Sequence, residues 1–281
     1  MSARSTLPVT VAIPVRNEER NLPSCLARLG RFERVVVIDS GSTDRTCEIA
    51  RAAGAEVVDF RWDGRFPKKR NWFLRHHAPR TPWVFFLDAD EFVDDAFCDE
   101  LARTLPGTPH AGFWISYHNW FLGRRLLHGD VNRKLALFRP SAGEFERIEE
   151  ERWSNLDMEV HEHPVLQGSV GEIAARLDHR DFRGLEHWIR KHNDYSSWEA
   201  HRVVALRRAG RLADPALTAR QRRKYGSVGR WWLPLAYFAD SYVRRQGFRD
   251  GHAGFVYAAM KAAYFWEIGL KAAEIERPER G

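Results

Sequence analysis

Cysteine is scarce in this chain. Its three residues, Cys25, Cys47 and Cys98, are odd in number and lack metal-ligand spacing, which excludes a disulfide framework and a zinc ribbon. They read most simply as reduced thiols of a cytoplasmic protein. Long apolar runs are missing too: nowhere do about 18 uncharged apolar residues follow one another, so no membrane-spanning helix is expected. Met1-Ser2-Ala3-Arg4-Ser5-Thr6 has no apolar centre, so no signal peptide is expected either. No Gly-x-Gly-x-x-Gly follows the first apolar run, and no Gly-x-x-x-x-Gly-Lys-Ser/Thr occurs, so a Rossmann dinucleotide site and a P-loop are both unsupported. Any phosphate bound here must be met by cations rather than by a glycine cradle. No internal repeat is present.

What is there is a globular composition. The 281 residues are 44% hydrophobic and 29% charged, enough for one large domain or one domain with a substantial extension. The net charge of +6 suggests an anionic partner: a nucleotide, an acidic glycan or a membrane surface.

The first hundred residues alternate in period. Val9–Val15 reads as a strand. Pro23 opens a helix ending at Gly30. Val35–Ile38 is a second strand closing on Asp39, and Ser40-Gly41-Ser42-Thr43-Asp44 is turn and cap chemistry before a helix that Gly54 terminates. Glu56–Phe60, a helix from Lys68 to about His76, and Trp83–Leu87 follow. Strands alternating with helices in this way predict a doubly wound parallel sheet. The last of these strands is apolar for five residues, as a strand covered on both faces should be, and runs into Asp88-Ala89-Asp90-Glu91. Carboxylates at a buried strand end need a cation, and oxygen-rich sites suit Mg²⁺ or Mn²⁺. Ligands of open α/β sheets bind beyond the strand C-termini. From Phe113 the alternation breaks: Phe113–Tyr117 and Leu135–Phe138 read as strands, Glu144–Glu159 as an acidic loop, and Leu185 to about Arg208 as a helix.

Ala12-Ile13-Pro14-Val15-Arg16-Asn17-Glu18-Glu19, Val37-Ile38-Asp39-Ser40-Gly41-Ser42-Thr43-Asp44 and Leu87-Asp88-Ala89-Asp90-Glu91 together resemble the nucleotide-sugar half of glycosyltransferase family 2, an inverting family with the GT-A fold. Leu137-Phe138-Arg139, Val160-His161-Glu162 and Leu177-Asp178-His179 are similar to its lipopolysaccharide-core β-glucosyltransferase branch. The resemblance implies a GT-A-like, mostly parallel α/β catalytic domain over residues 1–183, with its nucleotide-sugar half at about 7–110 and its acceptor half at 111–183. A helical, basic and aromatic extension follows over 184–281. It also implies a hexosyltransferase using a nucleotide-sugar donor, UDP-linked, and a cell-envelope glycan or lipid-linked acceptor. Pro14, Arg16 and Glu18 would border the base and ribose, Asp39 would accept a hydrogen bond from uracil or ribose, and Asp88 would approach the ribose. Arg70-Asn71 stands where the family often has Lys-Asn, leaving open whether Lys69 or Arg70 meets the phosphates. Asp90 would bind Mn²⁺ or Mg²⁺, with His161 or His179 as a further ligand.

Inverting transfer is a single displacement, so a divalent ion on the leaving diphosphate and a carboxylate base beside the acceptor hydroxyl are both needed. Glu162, between His161 and His163, is the expected base. Asp157, Glu159 and Glu149-Glu150-Glu151 are its competitors.

The segment from His201 to Arg230 carries nine Lys and Arg against the single acid Asp214, with Trp231 and Trp232 just beyond. An interfacial contact with an anionic membrane stands ahead of a solvated basic helix packed on the catalytic domain. Nucleic acid is not an expected partner, since no binding motif is present. The expected location is the cytoplasm, peripheral on the inner face of its membrane. A non-catalytic nucleotide-sugar-binding protein is the main rival. A metal-dependent phosphatase is weaker, because its Asp-x-Asp motif belongs on the first strand and wants Thr or Val where this chain has Phe92.

Overall fold

The structure, a computed structural model, describes residues 6–150, 153–154, 156–158, 162–181, 183–214 and 217–277. Strand β1 (Leu7–Val15) lies parallel between β2 (Phe32–Asp39) and β4 (Trp83–Phe86), with Val15 opposite Asp39 and Ala12 opposite Phe86. Helices α1 (Leu22–Leu26), α2 (Thr46–Ala52) and α3 (Lys69–His76), with β3 (Glu56–Asp59), complete the alternation. After β4 come β5 (Glu91–Phe92), α4 (Asp95–Thr104), β6 (Gly112–Phe121), β7 (Arg124–Arg125), β8 (Asn132–Phe138), β9 (Gly143–Phe145), β10 (Pro164–Leu166) and β11 (Val170–His179). The main sheet runs β3-β2-β1-β4-β8-β6-β11-β5. β8 enters antiparallel to β4 and β6, and β11 is parallel to β6.

The expected α/β sheet is therefore present, and its parallel centre is buried on both faces because residues alternate along β1. Val9, Val11 and Ile13 pack with Leu22 and Cys25 of α1 and Phe97 and Leu101 of α4. Ala12 joins Val84, Phe86 and Phe73 of α3 on the other side. Two expectations shift. Helix α1 stops at Leu26 rather than Gly30, because the next N–H groups turn back three residues, Arg28 to Cys25 O and Leu29 to Leu26 O. The stretch read as an acidic loop begins with strand β9, antiparallel to β10.

The described chain divides into two compact units, the first comprising Met1–Trp120, Val131–Glu151 and Asn155–Phe182. The second gathers Phe121–Asp130, Arg152–Ser154 and Arg183–Gly281. It is built on α5 (Leu185–Arg208), α6 (Ala219–Ser227), α7 (Leu233–Phe238) and α8 (Gly251–Glu276). Its core joins Val203 and Val204 of α5, Tyr225 of α6 and Tyr264, Ile268 and Ala272 of α8. The hairpin Phe121–Asp130 belongs to it because Phe121 and Leu126 pack on Ala253 and Tyr257. The carboxylate of Asp250 also accepts the N–H groups of Leu127 and His128. No helix among the described residues is long and apolar enough to cross a membrane.

Candidate active site

The ends of β1 and β2 are stitched together by short polar side chains. Asp39, buried at the close of β2, accepts the N–H of Gly41 at 2.9 Å, and the Ser42 N–H is shared between its two oxygens at 3.0 and 3.2 Å. Gly41 stands at φ +77°, and a Cβ there would meet the Arg61 guanidinium at 2.7 Å, so the turn that wraps Asp39 requires glycine. The loop after β1 docks onto the loop after β2: Thr43 N–H donates to Asn17 Oδ1 at 2.8 Å and Glu18 N–H to Thr46 Oγ1 at 2.8 Å. Pro14 is buried opposite Ile38, Arg16 is exposed on this loop, and the Glu18 carboxylate accepts from Asn21.

Helix α3 begins with four residues that reach four different places. Lys68 Nζ lies 3.1 Å from Glu162 Oε1 and pairs with Glu150, all three side chains being buried. Lys69 Nζ donates to Val15 O at the end of β1 (3.3 Å) and pairs with Asp157 at 3.3 Å. Burial lowers the Lys69 ammonium from its ordinary range, only partly offset by Asp157. The Arg70 guanidinium reaches Asp88 Oδ1 at 3.0 Å and lies over the rings of Phe86 and Phe145. Asn71 spends its amide on the Phe145 backbone, donating to its O and accepting from its N–H, each at 2.9 Å. Both groups of Phe145 are buried, so Asn71→Ala should cost about 2–4 kcal/mol, measured by urea unfolding. Unchanged stability with a raised donor KM would instead make Asn71 a ligand contact.

The acidic motif after β4 splits into three environments. Asp88 is shared by Arg70 and by Lys134 of β8, whose Nζ is 2.5 Å from Asp88 Oδ2 and also contacts Glu91 Oε1. Burial opposes ionisation of Asp88, but Lys134 and Arg70 outweigh it and hold its carboxyl well below the usual range. Glu91 is the more buried acid, and its carboxyl is pushed up by burial and by repulsion from Asp88 and Asp90 against the pull of Lys134. It also accepts the Asp88 N–H at 3.0 Å, fixing the turn. Asp90 points elsewhere. Strand β11 pairs with β5, setting His179 opposite Glu91, and His179 Nε2 comes to 3.3 Å from Asp90 Oδ2. Although burial opposes it, Asp90 raises the His179 imidazole above its ordinary range.

Asp39, Lys69, Arg70, Asp88, Asp90 and His179 thus form one chain of neighbours at the C-terminal ends of β1, β2 and β4. Glu162 sits apart from the acidic motif in its own contacts, lining a cavity with Trp62, Arg65, Phe66, Lys68, Glu146, Ile148 and Glu150. His161 lies outside the described residues. Among the described residues no group of three or more His, Cys, Asp and Glu is gathered to hold a metal ion. Asp90 and His179 nevertheless form an oxygen-and-nitrogen donor pair facing each other. That is enough for an ion whose remaining positions are filled by phosphate oxygens and water. Sequence reasoning missed Lys134 and Lys68. Lys134 closes the polar start of β8, Asn132-Arg133-Lys134, just before the apolar run Leu135–Phe138, and nothing in that pattern sets it apart from a solvent-facing lysine.

The family model described as glycosyl transferase family 2 matches residues 10–162. A lipopolysaccharide core biosynthesis glycosyltransferase, LpsC of Rhizobium meliloti strain 1021, is 28% identical over 94% of this chain and 92% of its own length. A 4,4'-diaponeurosporenoate glycosyltransferase of Staphylococcus haemolyticus is 42% identical over 93 residues, which is 31% of this chain and 25% of that one. Among solved structures, glucosyl-3-phosphoglycerate synthase of Mycobacterium tuberculosis, in complex with Mn²⁺, UDP and glucosyl-3-phosphoglycerate, shares 26% identity. That match covers 42% of this chain and 45% of that one at a TM-score of 0.32, a value too low to say anything of activity here.

Proposed function

The chain belongs to glycosyltransferase family 2, and on that premise we propose that it is an inverting hexosyltransferase. It moves a sugar from a UDP-linked donor to a cell-envelope glycan or lipid-linked acceptor. The lipopolysaccharide-core relative, matched over most of both chains, favours an acceptor of that kind. In this reading residues 1–183 are the catalytic domain. The observation that carries it is the first turn of α3, where consecutive side chains connect the end of β1, the acidic motif and the buried Glu162.

The roles follow from charge and position. Asp39, held rigid by its turn, accepts from the base or ribose, with Pro14, Arg16 and Glu18 on the adjoining loop. Lys69, Arg70 and Lys134 supply positive charge where a diphosphate must lie, in the absence of any glycine cradle. Asp88 orients Arg70 and Lys134 toward that place. Asp90 and His179 would hold a divalent ion, Mn²⁺ ahead of Mg²⁺ because an imidazole is among the donors. When bound, the ion supplies Lewis-acid stabilisation of the leaving diphosphate. The acceptor oxygen attacks the anomeric carbon, the bond to the diphosphate oxygen breaks with its electron pair, and Glu162 takes the hydroxyl proton. Lys68 fixes the Glu162 carboxylate, and a small cavity lies beside it.

The reading is tested by incubating pure protein with a panel of nucleotide-sugars, Mn²⁺ and a core-oligosaccharide acceptor, and measuring nucleoside diphosphate release. One donor should give release that a chelator abolishes. Donor binding without release for any sugar and acceptor would favour a non-catalytic nucleotide-sugar-binding protein instead.

A further inference from the structure

Charge is divided unequally along the sequence. Residues 183–281 carry nineteen Lys and Arg against ten Asp and Glu, a net +9, while the whole chain is only +6. The second unit is therefore the cationic one, and the catalytic part of the chain is net acidic.

Much of that positive charge is already taken. Arg207 pairs with Glu276 and donates to Val228 O, and Arg208 reaches Ile275 O. Lys224 pairs with the buried Glu199, and Arg222 caps Leu217 O. The basic segment taken from the sequence as the contact is thus in good part internal bracing. Arg220, Arg223 and Arg230 are different: they are exposed, and among the described residues their side chains form no ion pair or hydrogen bond.

Arg230 runs directly into Trp231, and Arg220 is near enough to Tyr237 of α7 to act on it electrostatically; the helix pair α7–α8 carries an apolar surface. Phe255, Ala259, Ala263, Trp266 and Leu270 recur at spacings of four, four, three and four, which places them on one stripe of α8 about 22 Å long. The opposite stripe, Tyr257, Tyr264, Ile268 and Ala272, is the one buried. Trp266 is 61% and Leu270 55% exposed. Helix α7 runs antiparallel along α8. A Cβ on Gly269 would stand 3.1 Å from Gly229 Cα at one end, and Phe238 packs on Phe255 at the other, ring centroids 5.9 Å apart. At the Gly229 end Trp231 is 80% exposed, and Leu235, one turn on, is 63% exposed. Two acids border the stripe, Glu267 and Glu274, and Glu267 is engaged by Ser196 Oγ at 3.3 Å. Large apolar side chains on one side of a helix pair are costly in water. In a unit whose net charge is positive, and whose exposed Arg220, Arg223 and Arg230 are free of ion pairs among the described residues, they match a surface of hydrocarbon under anionic headgroups.

We propose that the α7–α8 face, led by Trp231, Leu235, Trp266 and Leu270, lies in the interface of an anionic lipid bilayer, with Arg220, Arg223 and Arg230 on the headgroups. Neither helix spans. The tryptophans sit at the boundary and the arginines snorkel outward, so binding combines an apolar component that salt does not remove with an electrostatic one that it does.

The test uses the full chain and vesicles of phosphatidylcholine with or without phosphatidylglycerol, and no donor or acceptor, so its outcome is independent of glycosyl transfer. Flotation with phosphatidylglycerol vesicles is expected. Raising salt from 0.1 to 0.5 M should weaken binding without abolishing it, and brominated lipid should quench tryptophan emission of the unmodified protein. Trp231→Ala with Trp266→Ala should lower the partition coefficient on the order of tenfold, with thermal unfolding unchanged. Arg220→Gln, Arg223→Gln and Arg230→Gln together should remove the preference for anionic lipid. Absence of flotation, or flotation without quenching, overturns the proposal. So does a tryptophan double variant that floats normally but sediments as a monomer where the parent is a dimer, which would give the face to a second copy of the chain.

Discussion

Asp90→Asn abolishes transfer, with kcat/KM falling about 10³-fold or more, while the protein stays folded. Asparagine keeps the volume of the side chain and an oxygen that can face His179 Nε2, now at 3.3 Å from Asp90. What it loses is the negative charge. If a divalent ion on the donor diphosphate depends on that charge, several kcal/mol of leaving-group stabilisation go with it. Asp88→Asn is the informative contrast. It removes one partner from Arg70 and from Lys134, both of which sit where the diphosphate is expected, so donor KM should rise more than kcat falls. His179→Ala should cost less than Asp90→Asn, about 10–10²-fold, and excess Mn²⁺ should restore part of it. Turnover by Asp90→Asn that still responds to a chelator would move the ion away from Asp90.

The parallel centre of the fold was legible because it is written locally. A strand covered on both faces has to be apolar at every position, and Trp83–Phe86 is buried throughout. The turn chemistry of Ser40-Gly41-Ser42 follows from a left-handed residue that only glycine takes easily. Strand β11 was hidden for the opposite reason. Only Ile173 and Leu177 of its ten residues are buried, so it has neither a continuous apolar run nor a clean alternation. Its pairing with β5, more than eighty residues earlier in the chain, is what brings His179 to Asp90. The sequence alone could not place a histidine beside Asp90, because that neighbourhood is made by sheet register.

Lys134 and Lys68 carry the same lesson for charge. A lysine in a strand usually reads as a solvent-facing residue, and sequence alone gives it no partner. Here Lys134 reaches Asp88 and Glu91 only because β8 inserts antiparallel directly beside β4. The acidic cluster looked like a metal-binding triplet in sequence. In the fold two of its three carboxylates are engaged with cations of the chain itself, which is why the expected roles of Asp88 and Asp90 must differ chemically.

Glu162→Gln separates binding from chemistry. The donor should bind with unchanged affinity, since the donor-side residues Asp39, Arg70 and Asp90 are untouched, while kcat falls by about 10²–10⁴-fold. Glutamine fills the same space and offers Lys68 Nζ, 3.1 Å away, an oxygen to donate to. What it cannot do is accept the acceptor's proton. The competing possibility is that Glu162 only balances Lys68, whose amine is buried and also paired with Glu150. Removing one of two carboxylates from a buried ammonium is destabilising, so a purely structural Glu162 would reveal itself by lower unfolding stability at nearly normal kcat. A base loses transfer in protein that is still folded, whatever the change in stability. Glu150→Gln sharpens the comparison, because it perturbs the same lysine from the other side and should lower stability while leaving kcat within about tenfold. If Glu150→Gln stops transfer and Glu162→Gln does not, the base is Glu150, and the cavity lined by both residues has been read from the wrong carboxylate.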